Sequence, residues 1–124
     1  YNMTLHFTIN YQAQWGQQLA VLYAADADIA TASPVTLPMD CHGNSEWSAQ
    51  VTLSDIHKYI SYCYVVLDEQ GNILRRESMP HFLECQPGNI VLRDLWQDKS
   101  SSLFASKVLI SLLLANGIAR RNSL

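Results

Sequence analysis

The sequence predicts an all-β fold, an antiparallel β-sandwich of about seven short strands. Segments of alternating or β-branched apolar residues recur along the chain, and turn-forming residues separate them. The length, 124 residues, is that of one ordinary domain with one core. With 48% hydrophobic and 15% charged residues, the composition excludes a wholly disordered chain.

The first predicted strands differ in how their apolar residues are spaced. Residues 4–11 alternate between apolar and polar, which is typical of a strand with one buried face. The continuous apolar run 19–23 predicts a strand that is covered on both faces. Residues 26–38 contain small residues and prolines, so we expect mainly loop there, with a short strand at 35–37.

The following segments complete the predicted sandwich. Residues 47–53 alternate again, and residues 60–68 have the highest β-branched and aromatic content of the chain. A hairpin connection with Gly71 and Asn72 leads to the return strand 73–77. Two further strands are predicted at 82–85 and 90–96, and the absence of a long helix in this series favours an immunoglobulin-like sandwich.

The C-terminal segment has a different pattern, and we predict a module at residues 3–98 followed by a linker and helical connector at 99–124. Three serines, 100–102, precede apolar residues spaced as on one helix face: Leu103, Val108, Leu109, Leu112 and Leu113. Asn116-Gly117 is a signal for the end of that helix. Such a helix needs another surface to cover its apolar stripe, so we expect a following domain of a longer chain or a dimer through this segment.

Charge, hydropathy and cysteine content exclude several classes of function. The net charge is −3, and the only adjacent basic pairs are Arg75-Arg76 and Arg120-Arg121, so nucleic acid is not an expected partner. The longest apolar stretch, 108–115, is too short to span a bilayer, and no charged-then-apolar signal opens the chain. The three cysteines form an odd set without CxxC spacing, which favours a reduced, cytoplasmic setting.

No pattern in the sequence indicates catalysis, a metal or a cofactor. Cysteines and histidines adjoin only at Cys41-His42, which is not a known metal-ligand spacing. Glu69 and Glu77 flank a hairpin, but a glycosidase pair needs a sugar-holding cleft that a domain of this size hardly offers. Nucleophile-elbow, phosphate-loop and zinc-protease motifs do not occur. We therefore predict no catalytic residues, no metal ligands and no cofactor.

The aromatic residues are the strongest candidates for binding. On a β-sandwich, tryptophans are either core residues or flat platforms that stack on the apolar face of a sugar. Trp47 opens its predicted strand beside a polar loop, and Trp15 lies in a loop next to Gly16. Both interpretations stay open for these two residues, whereas Trp96 and the pair Tyr62 and Tyr64 fit a core position.

Several motifs, taken together, resemble the starch-binding module of carbohydrate-binding module family 20. They include Gly16-Gln17-Gln18-Leu19, Trp47 at the start of its strand, Tyr62-Cys63-Tyr64-Val65-Val66, Glu77 and Asp94-Leu95-Trp96, and the likeness covers residues 4–97. More narrowly, Gln14-Trp15-Gly16-Gln17 and Tyr64-Val65-Val66-Leu67-Asp68 look like N-terminal modules of amylomaltase-like 4-alpha-glucanotransferases, the disproportionating enzymes. The likeness implies a non-catalytic module that binds starch, glycogen or malto-oligosaccharides, with the enzyme activity elsewhere in the parent chain.

The resemblance also implies which residues hold the glucan. The family's main site uses two tryptophans, whose positions fall on Trp47 and Arg76, and a lysine, whose position falls on Cys63. Its glutamate falls on Glu77 and its asparagine near His81. Tyr62 and Trp15 complete the predicted site. The loop where the family carries a Leu-Gly-x-Trp motif reads Ile29-Ala30-Thr31-Ala32 and corresponds to a second site. An alternative function is a sandwich that has lost sugar binding and serves as a packing or dimerisation domain of the same enzyme. A free-standing enzyme is a third class, for which no residue set was found.

Overall fold

The computed structural model describes residues 1–98, where the chain forms two packed β-sheets and no helix. The predicted linker and helix at 99–124 lie outside these residues. The strands are β1 (Met3–Asn10), β2 (Gln18–Ala25), β3 (Val35–Pro38), β4 (Asp40–Cys41), β5 (Glu46–Leu53), β6 (Tyr59–Leu67), β7 (Ile73–Arg76), β8 (His81–Glu84) and β9 (Gly88–Asp94). The all-β prediction is thus confirmed for this part of the chain.

One sheet has the strand order β4-β5-β1-β9. The other has the order β3-β2-β6-β7, with β8 also paired to β6. A single apolar cluster contains buried residues of both sheets, among them Phe7 of β1, Val21 of β2 and Tyr64 of β6. The two sheets therefore pack face to face as the layers of a sandwich.

The prediction of an antiparallel sandwich holds for the other strand pairs and is wrong for β9 and β1. Strand β9 runs parallel to β1, with Leu5 opposite Ile90. The chain leaves the five-stranded sheet after β8 and enters the other sheet as β9, so a crossover sets the strand direction. Alternation specifies which face of a strand is buried, but it carries no information on direction. The structure also has nine strands rather than about seven, since the two-residue strand β4 gives no periodic signal.

Burial follows the periodicity of the sequence. On β1 the residues Met3, Leu5, Phe7 and Ile9 are buried and their neighbours are not. Strands β2 and β6 are buried on both faces, because a second apolar cluster covers the outer face of their sheet. In that cluster the loop residue Ile29 packs with Leu22 and Cys63. The loop after β2 is therefore part of the packed structure and forms one wall of the outer face.

In residues 1–98, no helix has the length and hydropathy needed to cross a membrane.

Candidate functional site

The structure divides the predicted glucan-binding residues into a buried and an exposed group. The buried group has side chains largely hidden from solvent and consists of Trp47 (8% exposed), Tyr62 (3%), Glu77 (4%) and His81 (8%). Trp15 is fully exposed at 101%, and Arg76 also faces solvent. The residues that the resemblance implies as one site thus have different surroundings.

Trp47 is a core residue of the sandwich. It lies opposite Ile9 of β1 and belongs to the main apolar cluster. Its indole Nε1 donates a hydrogen bond of 3.0 Å to the carbonyl oxygen of Tyr11. This bond satisfies the polar atom of the buried ring. The sequence left the direction of the Trp47 ring open, because the residue adjoins a polar loop. The register of β5 points the ring into the core, and 8% of the residue is exposed.

Glu77 follows β7 and turns its carboxylate inward. Oε1 accepts a hydrogen bond of 2.7 Å from the backbone N–H of Tyr64, and Oε2 accepts one of 2.6 Å from that of Gln97. His81 Nε2 lies 3.0 Å from both oxygens. The carboxylate therefore connects β6, β8 and the segment after β9, and its acceptor capacity is largely used within the protein.

Asp94 belongs to one of the motifs that carry the resemblance but was not predicted as a site residue, and it completes this buried polar network. Its Oδ2 accepts hydrogen bonds from the hydroxyls of Tyr62, at 2.9 Å, and Tyr64, at 2.7 Å. Its Oδ1 is 3.7 Å from His81 Nδ1, and the imidazole stacks on the Tyr62 ring at 4.8 Å. Burial, and then the charge of Asp94, raise the pKa of both tyrosines well above the usual value. The network of Glu77, His81, Asp94, Tyr62 and Tyr64 is accordingly a cross-strand structural tie.

Trp15 is held at the tip of a tight turn. Gln17 N–H donates to the carbonyl of Gln14 at 3.0 Å, and Gln14 N–H donates to Gln17 Oε1 at 2.9 Å. Gly16 has φ = +85°, and a Cβ at this position would lie 2.7 Å from Glu69 Oε1 on the β6–β7 hairpin. The turn thus has a fixed backbone and a close neighbour, while the indole itself stays in solvent. This combination of fixed support and open ring is what a stacking platform requires.

A second aromatic group, Tyr11 and Trp96, lies beside β7, and the Arg75 side chain covers both rings. The Arg75 guanidinium is 4.7 Å from the centre of the Trp96 ring and 5.6 Å from that of Tyr11. Arg75 Nη1 donates to the Tyr11 hydroxyl at 2.8 Å, and Nη2 pairs with Asp98. The Tyr11 hydrogen bond is the main reason that the pKa of Arg75 rises. Trp96 is half-buried, and these contacts fix the chain where it leaves β9.

A cavity of about 440 Å³ opens on the outer face of the five-stranded sheet. Its lining residues are Ile29, Ala30, Cys63, Arg76, Glu77, Ser78 and Pro80. The resemblance implied separate sites at Ile29–Ala32 and at Arg76; the structure instead places Ile29 and Ala30 in the same cavity as Arg76. Cys63 lies on the floor, where burial raises the pKa of its thiol to about 11 although the Arg76 charge opposes the shift.

No group of three or more His, Cys, Asp or Glu side chains in residues 1–98 is arranged to hold a metal ion.

Comparison with known proteins adds a sequence relative. The chain is homologous to part of the 4-alpha-glucanotransferase DPE2 of Oryza sativa subsp. japonica, with 33% identity over 119 residues. The match covers 82% of this chain but only 12% of the length of that relative. No protein-family model matches the chain.

Solved structures share the fold. A glycoside hydrolase family 15 glucoamylase from Hypocrea jecorina matches 78% of this chain and 17% of its own, with a TM-score of 0.58 and 19% identity. The gamma-CGTase of alkalophilic Bacillus clarkii matches 77% of this chain and 15% of its own, with a TM-score of 0.58 and 14% identity. The glucoamylase of Hormoconis resinae matches 80% of this chain and 18% of its own, with a TM-score of 0.50 and 24% identity. At these identities the likeness concerns the fold alone.

Proposed function

We propose that this chain is a non-catalytic α-glucan-binding module, of the starch-binding type, belonging to a 4-alpha-glucanotransferase. The observation that carries the proposal is the 33% identity to the rice 4-alpha-glucanotransferase over most of this chain. Its share of that relative, 12%, suits an accessory module and leaves the catalytic residues elsewhere in the parent protein. The module keeps malto-oligosaccharide, starch or glycogen near the parent's active site.

Trp15 is the platform we propose for the glucan. Its ring is fully exposed, and a pyranose stacked on one face would remove about 40–80 Å² of apolar surface from water, for roughly 1–2 kcal/mol. The Gln14–Gln17 turn is already ordered, so little conformational entropy is lost on binding. The exposed Gln14 amide and Glu69 carboxylate supply hydrogen-bonding groups for the sugar hydroxyls beside the ring.

The remaining predicted residues support the module in a different way. Trp47 holds the end of β1 through Tyr11, and Glu77, His81 and Tyr62 join β6 to β8 and to the chain after β9. Stacking on Trp15 together with hydrogen bonds to Gln14 and Glu69 would give a dissociation constant of about 1 mM, or roughly −4 kcal/mol. A second module in the parent chain would raise the effective affinity without new contacts.

A structural packing or dimerisation domain is the second candidate. It is favoured by the burial of Trp47 in the core and of Tyr62, Glu77 and His81 in the polar network, which is complete without any sugar. In this case the sandwich serves its parent enzyme as a spacer or contact domain. The two candidates make opposite predictions for sugar binding by the 124-residue chain.

A titration with maltoheptaose, followed by amide NMR shifts, separates them, with cellohexaose as the control for linkage. Glucan binding predicts saturable shifts with maltoheptaose only. Trp15→Ala should abolish them without changing the melting temperature, whereas Trp47→Phe, the matched aromatic control, should retain them. No response to several millimolar maltoheptaose would leave packing as the function.

A further inference from the structure

The cavity on the outer face of the five-stranded sheet has a cation, Arg76, at its wall, where the resemblance implies a tryptophan of the family's glucan site. Consecutive residues of a strand point to opposite faces, so Arg75 and Arg76 of β7 diverge. Arg75 reaches Tyr11 and Trp96, whereas Arg76 lines the cavity. Arg76 pairs with Val65 of β6, whose side chain lies with Cys63 in the apolar cluster on the outer face, so Arg76 and Cys63 line the same cavity.

In the part of the chain that the structure describes, Arg76 has no carboxylate within ion-pair distance. Glu77 also lines the cavity, but its side-chain oxygens accept hydrogen bonds from Tyr64, His81 and Gln97 on the inner side. Apart from the neighbouring Cys63 thiol, no group in residues 1–98 accepts a hydrogen bond from the guanidinium, so most of its five N–H donors are open to an outside partner. The partner that matches two parallel N–H groups is an oxyanion, either a phosphate or a carboxylate.

The other walls fit the body of a small sugar. Ile29, Ala30 and Pro80 offer apolar surface, and Ser78 adds a hydroxyl. The volume, about 440 Å³, lies within the range of small-molecule sites. An apolar wall with a few converging polar groups is the usual composition of such a site.

We propose that this cavity binds a hexose that carries an oxyanion, with the Arg76 guanidinium on the anionic group and the sugar ring between Ile29 and Pro80. A phosphomonoester and a uronic acid carboxylate share this chemistry. The site is separate from Trp15, which takes neutral glucan under the proposed function, and it gives the module a second specificity for charged sugar.

The test is an amide NMR titration of the 124-residue chain with glucose 6-phosphate, glucuronate, inorganic phosphate and maltose. The expected result is saturable shifts at Ile29–Ala30 and Arg76–Ser78 with one or both anionic sugars, and none there with maltose. Arg76→Gln should weaken this binding about tenfold or more, because a charge-assisted bidentate contact is lost. Arg93→Gln removes the same charge from an exposed position on β9 and should leave the affinity unchanged.

A second variant, Ala30→Phe, fills the mouth of the cavity without altering charge and should also abolish binding. Equal weakening by Arg76→Gln and Arg93→Gln would overturn the proposal in favour of general charge attraction. Equal affinity for inorganic phosphate would overturn the sugar part and leave an anion site. Absence of saturable shifts with either anionic sugar would reject the site altogether, and maltoheptaose binding at Trp15 would survive each of these outcomes.

Discussion

Replacing Glu77 with glutamine tests whether the buried polar network holds the sandwich together. The carboxylate side chain is fully buried, and it accepts hydrogen bonds from the Tyr64 N–H, the Gln97 N–H and His81. Glutamine has almost the same shape but only one acceptor oxygen. Its NH₂ group must therefore face the backbone N–H of either Tyr64 or Gln97.

The expected loss of stability follows from these contacts. One hydrogen bond to a charged group, worth about 1.5–3 kcal/mol, disappears, and one buried N–H is left without an acceptor at a cost of about 1–3 kcal/mol. The two effects overlap, and we expect a net loss of about 3 kcal/mol. For a domain of about 100 residues this corresponds to a fall in Tm of roughly 10–20 °C.

The assay is thermal and urea unfolding monitored by circular dichroism, with Glu84→Gln as the control. Glu84 is a glutamate on β8 whose side chain is exposed, and its replacement should change stability by less than about 0.5 kcal/mol. If Glu77→Gln proved as stable as Glu84→Gln, the structural role of the network would be refuted and Glu77 would return to the list of ligand contacts.

Three further outcomes are expected. Trp47→Ala should lower the free energy of unfolding by about 3–5 kcal/mol in urea melts; a loss below 1 kcal/mol would contradict its core position. In timed thiol titrations at pH 8, the exposed Cys41 should react at once and Cys63, with a pKa of about 11, only on unfolding; simultaneous reaction would be inconsistent with its burial. The hydrogen bond from Lys58 N–H lowers the pKa of Asp26 in the folded protein. The ionised Asp26 therefore stabilises the fold fully above the ordinary aspartate pKa, and this stabilisation is lost as the pH falls through the lower pKa of the folded state. Asp26→Asn should thus lower the urea midpoint at pH 6 and have little effect below pH 3, while an equal effect at both would point to a cause other than charge.

Local pattern was sufficient to predict most strands. Alternation predicted β1 and its buried face, and the apolar run at 19–23 predicted that β2 is covered on both sides. Both signals come from side-chain burial, which repeats every second residue. The parallel pairing of β9 with β1 depends on a crossover between sheets, and no residue of β9 encodes it alone.

The direction of individual side chains was harder to predict for the candidate site. Tyr62 and Tyr64 were predicted to fit a core position, and both are buried, with their hydroxyls on Asp94 of the polar network. Its anchor, Asp94, lies 30 residues from Tyr64 in sequence, so only the folded sheet pairs them. Trp15 and Trp47 both adjoin polar loops, but a fixed turn exposes the first and the strand register buries the second.

Mapping amide shifts of the 124-residue chain during a maltoheptaose titration would show whether Trp15 carries an α-glucan site. A site at Trp15 should give saturable shifts at Gln14–Gln17 and on the neighbouring hairpin at Glu69, and these should disappear in Trp15→Ala. Equal shifts with cellohexaose, shifts confined to other surfaces, or none at all would contradict it.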